Sequence, residues 1–149
     1  MEPPDIESAA SLLSELASEY IVREFEPEAQ ARFLEENNAN AIRGFVANGF
    51  RYRVAEMNGE LIGFVGVRDN KHLYHLFVAK SLQRQGIGRM LWDTAKRECE
   101  ASGHHGAFTV NSSNHAMPIY ERWGFRRDGP AKHSDGITYN PMKLEANDG

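Results

Sequence analysis

Leu76-Phe77-Val78-Ala79-Lys80-Ser81-Leu82-Gln83-Arg84-Gln85-Gly86-Ile87-Gly88-Arg89 is the stretch that decides the fold. It reads as the end of a strand, a short loop, and the start of a helix over residues 86–102 that Gly103 closes. Gly86 and Gly88 have no Cβ, so a ligand can come close to the backbone there. The first amides of a helix lack internal partners, and the helix dipole adds partial positive charge. Together these features make a phosphate cradle, and Arg84 and Arg89 place mobile cations beside it. Two other phosphate loops are excluded. The chain lacks Gly-x-x-x-x-Gly-Lys-Ser/Thr, and Leu91 stands where a dinucleotide fingerprint needs its third glycine.

Net charge explains why such a cradle is needed. At -4 the chain gives nucleic acid no general attraction, so an anionic ligand must be met by a local positive site. A length of 149 residues suits a single domain over residues 1–149. Its 41% hydrophobic and 26% charged residues are those of a folded globular chain. No apolar run approaches the roughly 20 residues of a membrane span, so no membrane association is expected. The opening Met1-Glu2-Pro3-Pro4-Asp5 lacks the basic and apolar segments of a secretory signal, and the single Cys99 cannot form an internal disulfide. The expected setting is cytoplasmic.

Upstream of the loop the apolar period changes. Ile6, Ala9, Leu12, Leu13, Leu16, Ala17 and Tyr20 recur at helical spacing, and a second helix starts near Pro27, interrupted at Asn37-Asn38. Residues 51–57 and 61–67 are then strand-like and joined across Asn58-Gly59, a dipeptide suited to a tight hairpin. A third strand covers residues 72–78. Downstream, the sequence predicts a strand over 105–111, a short helix over 114–123, and a strand pair at 125–127 and 137–144. The tail at residues 146–149 is expected to fray. The sum is an α+β domain around a mixed, mostly antiparallel sheet flanked by helices.

Gln83-Arg84-Gln85-Gly86-Ile87-Gly88, preceded by Leu76-x-Val78, resembles the Gln/Arg-x-x-Gly-x-Gly/Ala signature of the GCN5-related N-acetyltransferases (GNAT). A second hallmark stands downstream in Asn114-x-Ala116-x-x-x-Tyr120-Glu121-Arg122-x-Gly124-Phe125, and the hairpin 54–63 and Pro141-Met142-Lys143-Leu144 resemble further family strands. The likeness runs from Asp5 to Leu144 and departs at the start, where family members often have a strand before the first helix. It implies a V-shaped splay between the strand ending at Val78 and the one ending near Asn111. There the pantetheine arm of acetyl-CoA would lie along Leu76, Phe77 and Val78. Gln83, Arg84, Gln85, Gly86, Ile87, Gly88 and Arg89 would then hold the pyrophosphate.

The implied chemistry is acetyl transfer to a primary amine by direct attack. By the same resemblance Tyr120 protonates the leaving sulfur and Asn114 contacts the cofactor arm. A free strand amide near Phe77 or Val78 can meet the developing oxyanion. His72 is the candidate base, because serotonin-type members carry a histidine at that place on this strand, and a neutral imidazole can take a proton. Strict alternation puts His72, Tyr74, Leu76 and Val78 on one strand face and Leu73, His75 and Phe77 on the other. A hydrogen-bonded or exposed, purely structural His72 is the alternative and is slightly favoured. His75 on the opposite face is a weaker candidate for the base, and Glu56 is an alternative base if water relays the proton. Cys99, on the stripe Ile87, Leu91, Ala95, Cys99, reads as core. The histidines show no metal-ligand spacing. A cationic acceptor would meet the N-terminal helices and the segment 129–136, near Glu36, Asp128 and Asp135. A catalytically inactive acyl-CoA sensor of the same fold is the alternative. Homodimers are common in the family, and no residue pattern here decides that point.

Overall fold

A computed structural model describes residues 1–146. Of the tail expected to fray, residues 147–149 lie outside the described residues. Helix α1 (Pro3–Tyr20) begins with both prolines in its first turn, where absent amides lose no helical bond. Glu2 and Asp5 close a reciprocal capping box there, satisfying amides that would otherwise be unpaired. The interruption expected at Asn37-Asn38 divides α2 (Pro27–Glu36) from α3 (Ala39–Ala47), whose cap is Asn38 accepting from the Ala41 amide at 2.9 Å. A 3-10 turn at Val22–Glu24 joins α1 to α2.

Strands β1 (Arg51–Met57) and β2 (Glu60–Arg68) form the expected hairpin, with φ of 54° at Asn58 and 81° at Gly59. After β3 (His72–Val78) come α4 (Ile87–Ala101), β4 (Phe108–Ser112), α5 (Met117–Arg122), β5 (Arg126–Arg127), β6 (Lys132–Ser134) and β7 (Ile137–Leu144). Three boundaries differ from expectation. β4 starts later than residue 105, because His104 folds back to bond the Ala107 carbonyl at 2.9 Å. α5 is shorter than 114–123, because Asn114 and His115 lie in the turn that precedes it. β6 lies in a segment read as loop; its residues are all exposed, so it carries no apolar alternation, and it pairs only with β7.

The strand order is β1-β2-β3-β4-β7-β5, with β3 and β4 parallel and the other pairs antiparallel. One face packs on α4 and α5 through Val65, Val67, Leu73, Leu91, Trp92, Phe108 and Phe125. The other packs on α1–α3 through Leu13, Ile42, Tyr52 and Phe64. Cys99 is fully buried in the first cluster, as its stripe predicts. None of the described helices is long and apolar enough to cross a membrane.

Two irregularities in β3 shape everything that follows. The register on β2 slips between Gly66↔His75 and Val67↔Leu73, so Tyr74 is an extra, bulged residue. A bulge resets side-chain alternation, and this overturns the expected grouping of β3 side chains. Leu73, Leu76 and Val78 face α4, whereas His75 and Phe77 face α1–α3. His72 bonds Thr109, whose strand neighbours Phe108 and Val110 face α4, so His72 does not share the face of Leu76 and Val78. The second irregularity is on the other edge. β3 meets β4 only at His72↔Thr109 and Leu73↔Val110, and beyond Leu73 the two strands part.

Candidate active site

The open side of β3 follows from its register. Ala79 donates to the Ile62 carbonyl at 2.8 Å, so by antiparallel alternation Phe77 and His75 turn their peptide groups to β2. Leu76 and Val78 turn theirs the other way, into the gap that β4 leaves. The Val78 carbonyl is taken there by the Gln83 side chain at 2.9 Å, which ties the loop to the strand end. Of the three strand residues singled out in the sequence, Leu76 and Val78 thus aim backbone groups at the splay, while Phe77 aims its own at β2.

The loop closes onto α4 through two left-handed residues, Arg84 at φ 67° and Gly86 at φ 83°. A non-glycine residue in that region is uncommon and strained. Gly86 is the helix N-cap and offers no side chain to the amides of Ile87, Gly88 and Arg89; the first turn holds no acidic residue. Among the described residues no atom lies within 4 Å of a Cβ built at Gly86, so the space beside this cap is open. Uncapped amides, a helix dipole and open space suit a diphosphate. The cations are less mobile than expected. Arg89 bonds Asp93 at 3.1 Å and lies 5.8 Å from the Trp123 ring, while Arg84 has no ion pair among the described residues.

Trp123 links this cradle to Tyr120. Its ring would lie 3.6 Å from a Cβ at Gly88, and it meets the Tyr120 ring edge-on at 5.6 Å. Tyr120 is buried in the cluster that also takes Leu76 and Val78. Burial pushes its phenol pKa up, so the hydroxyl stays protonated at neutral pH. Among the described residues no side-chain hydrogen bond engages that hydroxyl, nor is any described side-chain polar atom both sealed and unpaired. The hydroxyl therefore keeps access to a partner from outside.

Asn114, Glu24 and Asn140 form a chain on the β4 side. Asn114 donates to Glu24 at 2.8 Å and accepts from Asn140 at 2.8 Å, and the nearly buried Asn140 also donates to the Ser112 carbonyl. The adjoining cleft, lined by Glu19, Tyr20, Arg23, Glu24, Asn114 and His115, brings the end of α1 to the segment that precedes α5. His72 is 8% exposed, and its Nδ1 lies 2.7 Å from Thr109 Oγ1. Burial, aided by Arg68, lowers its pKa to about 4, so the ring is neutral near pH 7. His75 has both ring nitrogens engaged, by Tyr52 and Asn37. Glu56 is exposed on edge strand β1, with β2 between it and β3. Asp135 helps form the β6–β7 turn, whose carbonyls accept from Arg32 and from the Glu26 amide. Among the described residues no three His, Cys, Asp or Glu side chains gather where they could hold a metal.

Sequence reasoning did not find Thr109, Tyr52, Asn37, Glu24 or Asn140. Each joins its partner across a long stretch of chain, and no local pattern marks it.

A splayed mixed sheet with an uncapped helix at its open end is the architecture of an N-acetyltransferase fold, and comparison with known structures bears this out. The chain matches a GCN5-related N-acetyltransferase from Rhodopseudomonas palustris with a TM-score of 0.79 at 17% identity, covering 97% of this chain and 92% of that one. An N-acetyltransferase, PaiA, from Thermoplasma acidophilum, solved in complex with coenzyme A, matches with a TM-score of 0.78 at 16% identity, over 97% and 95% of the two chains. The chain belongs to the acetyltransferase (GNAT) domain family, whose pattern matches residues 21–146. N-acetyltransferase family 8 member 3 of Rattus norvegicus is 28% identical over 111 residues, 66% of this chain. The chain spans about half of that relative's length, 49%.

Proposed function

We propose that this chain transfers the acetyl group of acetyl-CoA to a primary amine by direct attack, in the cytoplasm. The observation that carries the reading is the uncapped, acid-free N-terminus of α4 at the open end of the β3–β4 splay. Acetyl-CoA, when bound, would supply the acyl group as a reactive thioester. Amides of residues 84–89, with Arg84 and Arg89, hold its diphosphate. Leu76 offers its strand amide and carbonyl to the pantetheine arm, whose path Val78 flanks, and Asn114 borders the arm from the β4 side. A free amide at Val78 faces the developing oxyanion.

Tyr120 donates its proton to the leaving sulfur as the carbon–sulfur bond breaks and the carbon–nitrogen bond forms. A phenol kept protonated by burial is available as a donor throughout the neutral range. The amine gives its proton to His72, directly or through water, and solvent returns that proton to Tyr120. The low pKa of His72 keeps it unprotonated near neutral pH and also makes it a weak base.

The test incubates purified protein with acetyl-CoA and a panel of amines and follows thiol release. Turnover with at least one primary amine is expected; binding of coenzyme A without release across the panel would make the chain an acyl-CoA sensor instead. Tyr120→Phe should lower kcat by about a hundredfold or more with coenzyme A affinity retained, and unchanged kcat removes Tyr120 from the acid role. A base with a pKa of about 4 is in its active form at every pH above that value. The profile of kcat/KM should therefore show no inflection between pH 6 and 7 that His72→Gln abolishes.

A further inference from the structure

His75 is the most deeply enclosed titratable ring in β3, and the proposed chemistry does not use it. Its partners fix its tautomer. Asn37 Nδ2 donates to the Phe33 carbonyl at 2.8 Å, which leaves Asn37 Oδ1 as an acceptor; the 2.8 Å contact from His75 Nε2 then carries the proton. Nδ1 is consequently an acceptor, and the Tyr52 hydroxyl donates to it across 2.9 Å. All three side chains are 5–6% exposed, and each comes from a different place: the end of α2, strand β1 and strand β3.

The network grips β3 at one particular step. His75 is the residue next to the bulged Tyr74, and it pairs with Gly66, where the register on β2 slips. The Tyr52 ring fills the space that a side chain at Gly66 would need, since a Cβ there would stand 2.3 Å from Tyr52 Cε1. If the bulge were ironed out with Leu73 still facing α4, His75 would turn toward Leu91, Trp92 and Phe108 and lose both partners. A buried imidazole without partners is costly, so the hydrogen bonds select the bulged register over the regular one. Immediately beyond this step β3 leaves β4 and opens the groove.

We infer that Asn37, Tyr52 and His75 are positioning residues that lock the β3 bulge and so set the aperture of the groove along Leu76 and Val78. The link to ligand binding rests on the reading of that groove as the site for coenzyme A.

Tyr52→Phe keeps the ring over Gly66 and removes only the hydroxyl that donates to His75 Nδ1. It should weaken coenzyme A binding about tenfold by calorimetry. The amides of His75 and Phe77, which bond β2, should exchange about tenfold faster relative to those of the α4 interior. His75→Gln preserves one donor and one acceptor and should stay within about twofold of the parent in both readouts, whereas His75→Leu, if it folds, should match or exceed Tyr52→Phe. A lowered Tm in Tyr52→Phe, with affinity and relative exchange both unchanged, would make the network merely structural and overturn the inference. Should the parent protein fail to bind coenzyme A, the reading of the groove falls, and the exchange comparison still decides whether these residues hold the bulge.

Discussion

The two longest helices, α1 and α4, begin in opposite ways. At α1 the chain supplies its own anions: Glu2 and Asp5 cap each other's backbone, and Asp5 stands at the third helical position. At α4 the cap is Gly86 in a left-handed conformation, no side chain reaches back, and the third helical position is Arg89. A positive dipole end is present at both starts. One end is neutralised from within. The other is left to something from outside; beside it stand Arg84, with no ion pair among the described residues, and Arg89, shared with Asp93 one turn on. On this difference rests the proposal that α4, and not α1, receives the diphosphate.

Giving α4 the charge that α1 has should have the largest effect. Arg89→Asp exchanges a cation for an anion at the position equivalent to Asp5, and coenzyme A binding should weaken about a hundredfold, roughly 1.4 kcal/mol for each charge unit. The Tm should change little. The carboxylate gains from the helix dipole about what it loses by facing Asp93 one turn on, each a few tenths of a kcal/mol to 1 kcal/mol. An unaltered dissociation constant would place the phosphates elsewhere.

Gly86→Val should have the next largest effect. A β-branched residue at φ 83° is strained by about 1–2 kcal/mol, and its side chain enters the open space beside the cap. Affinity for coenzyme A should fall about tenfold, chiefly through this strain and lost space, since among the described residues no atom stands within 4 Å to clash. Equal affinity in titration calorimetry would show that the loop conformation is irrelevant to binding. Asp5→Asn should have the smallest effect: a loss of about 0.5–1 kcal/mol, read as a fall of a few degrees in Tm. Coenzyme A affinity should not move. If it does, the two helix starts are not independent.

Where strong turn and cap residues set the local backbone, the fold could be read from the sequence. Pro3-Pro4, Asn58-Gly59 and Gly86-Ile87-Gly88 each constrain a few consecutive dihedrals or caps, and each lies where the pattern put it. The family signatures extended this reading to the sheet as a whole. It failed where strands were not regular. Alternation along β3 was applied through Tyr74, and one bulged residue sufficed to reverse half of the grouping. For the candidate site, the cradle was visible as a run of adjacent residues, whereas the environments of His72, His75 and Asn114 were not. Thr109, Tyr52 and Glu24 reach them from distant parts of the chain.

Apart from β6, the sequence by itself determined the order of the elements, the hairpin, and a helix start with nothing to cap it, because turns and caps are properties of neighbouring residues. The tertiary structure alone decided which β3 peptides face the gap, which nitrogen of His75 carries the proton, and that His72 lies on the face opposite Leu76. These depend on strand register and on burial beside particular partners. Both arise only when segments far apart in the chain pack together.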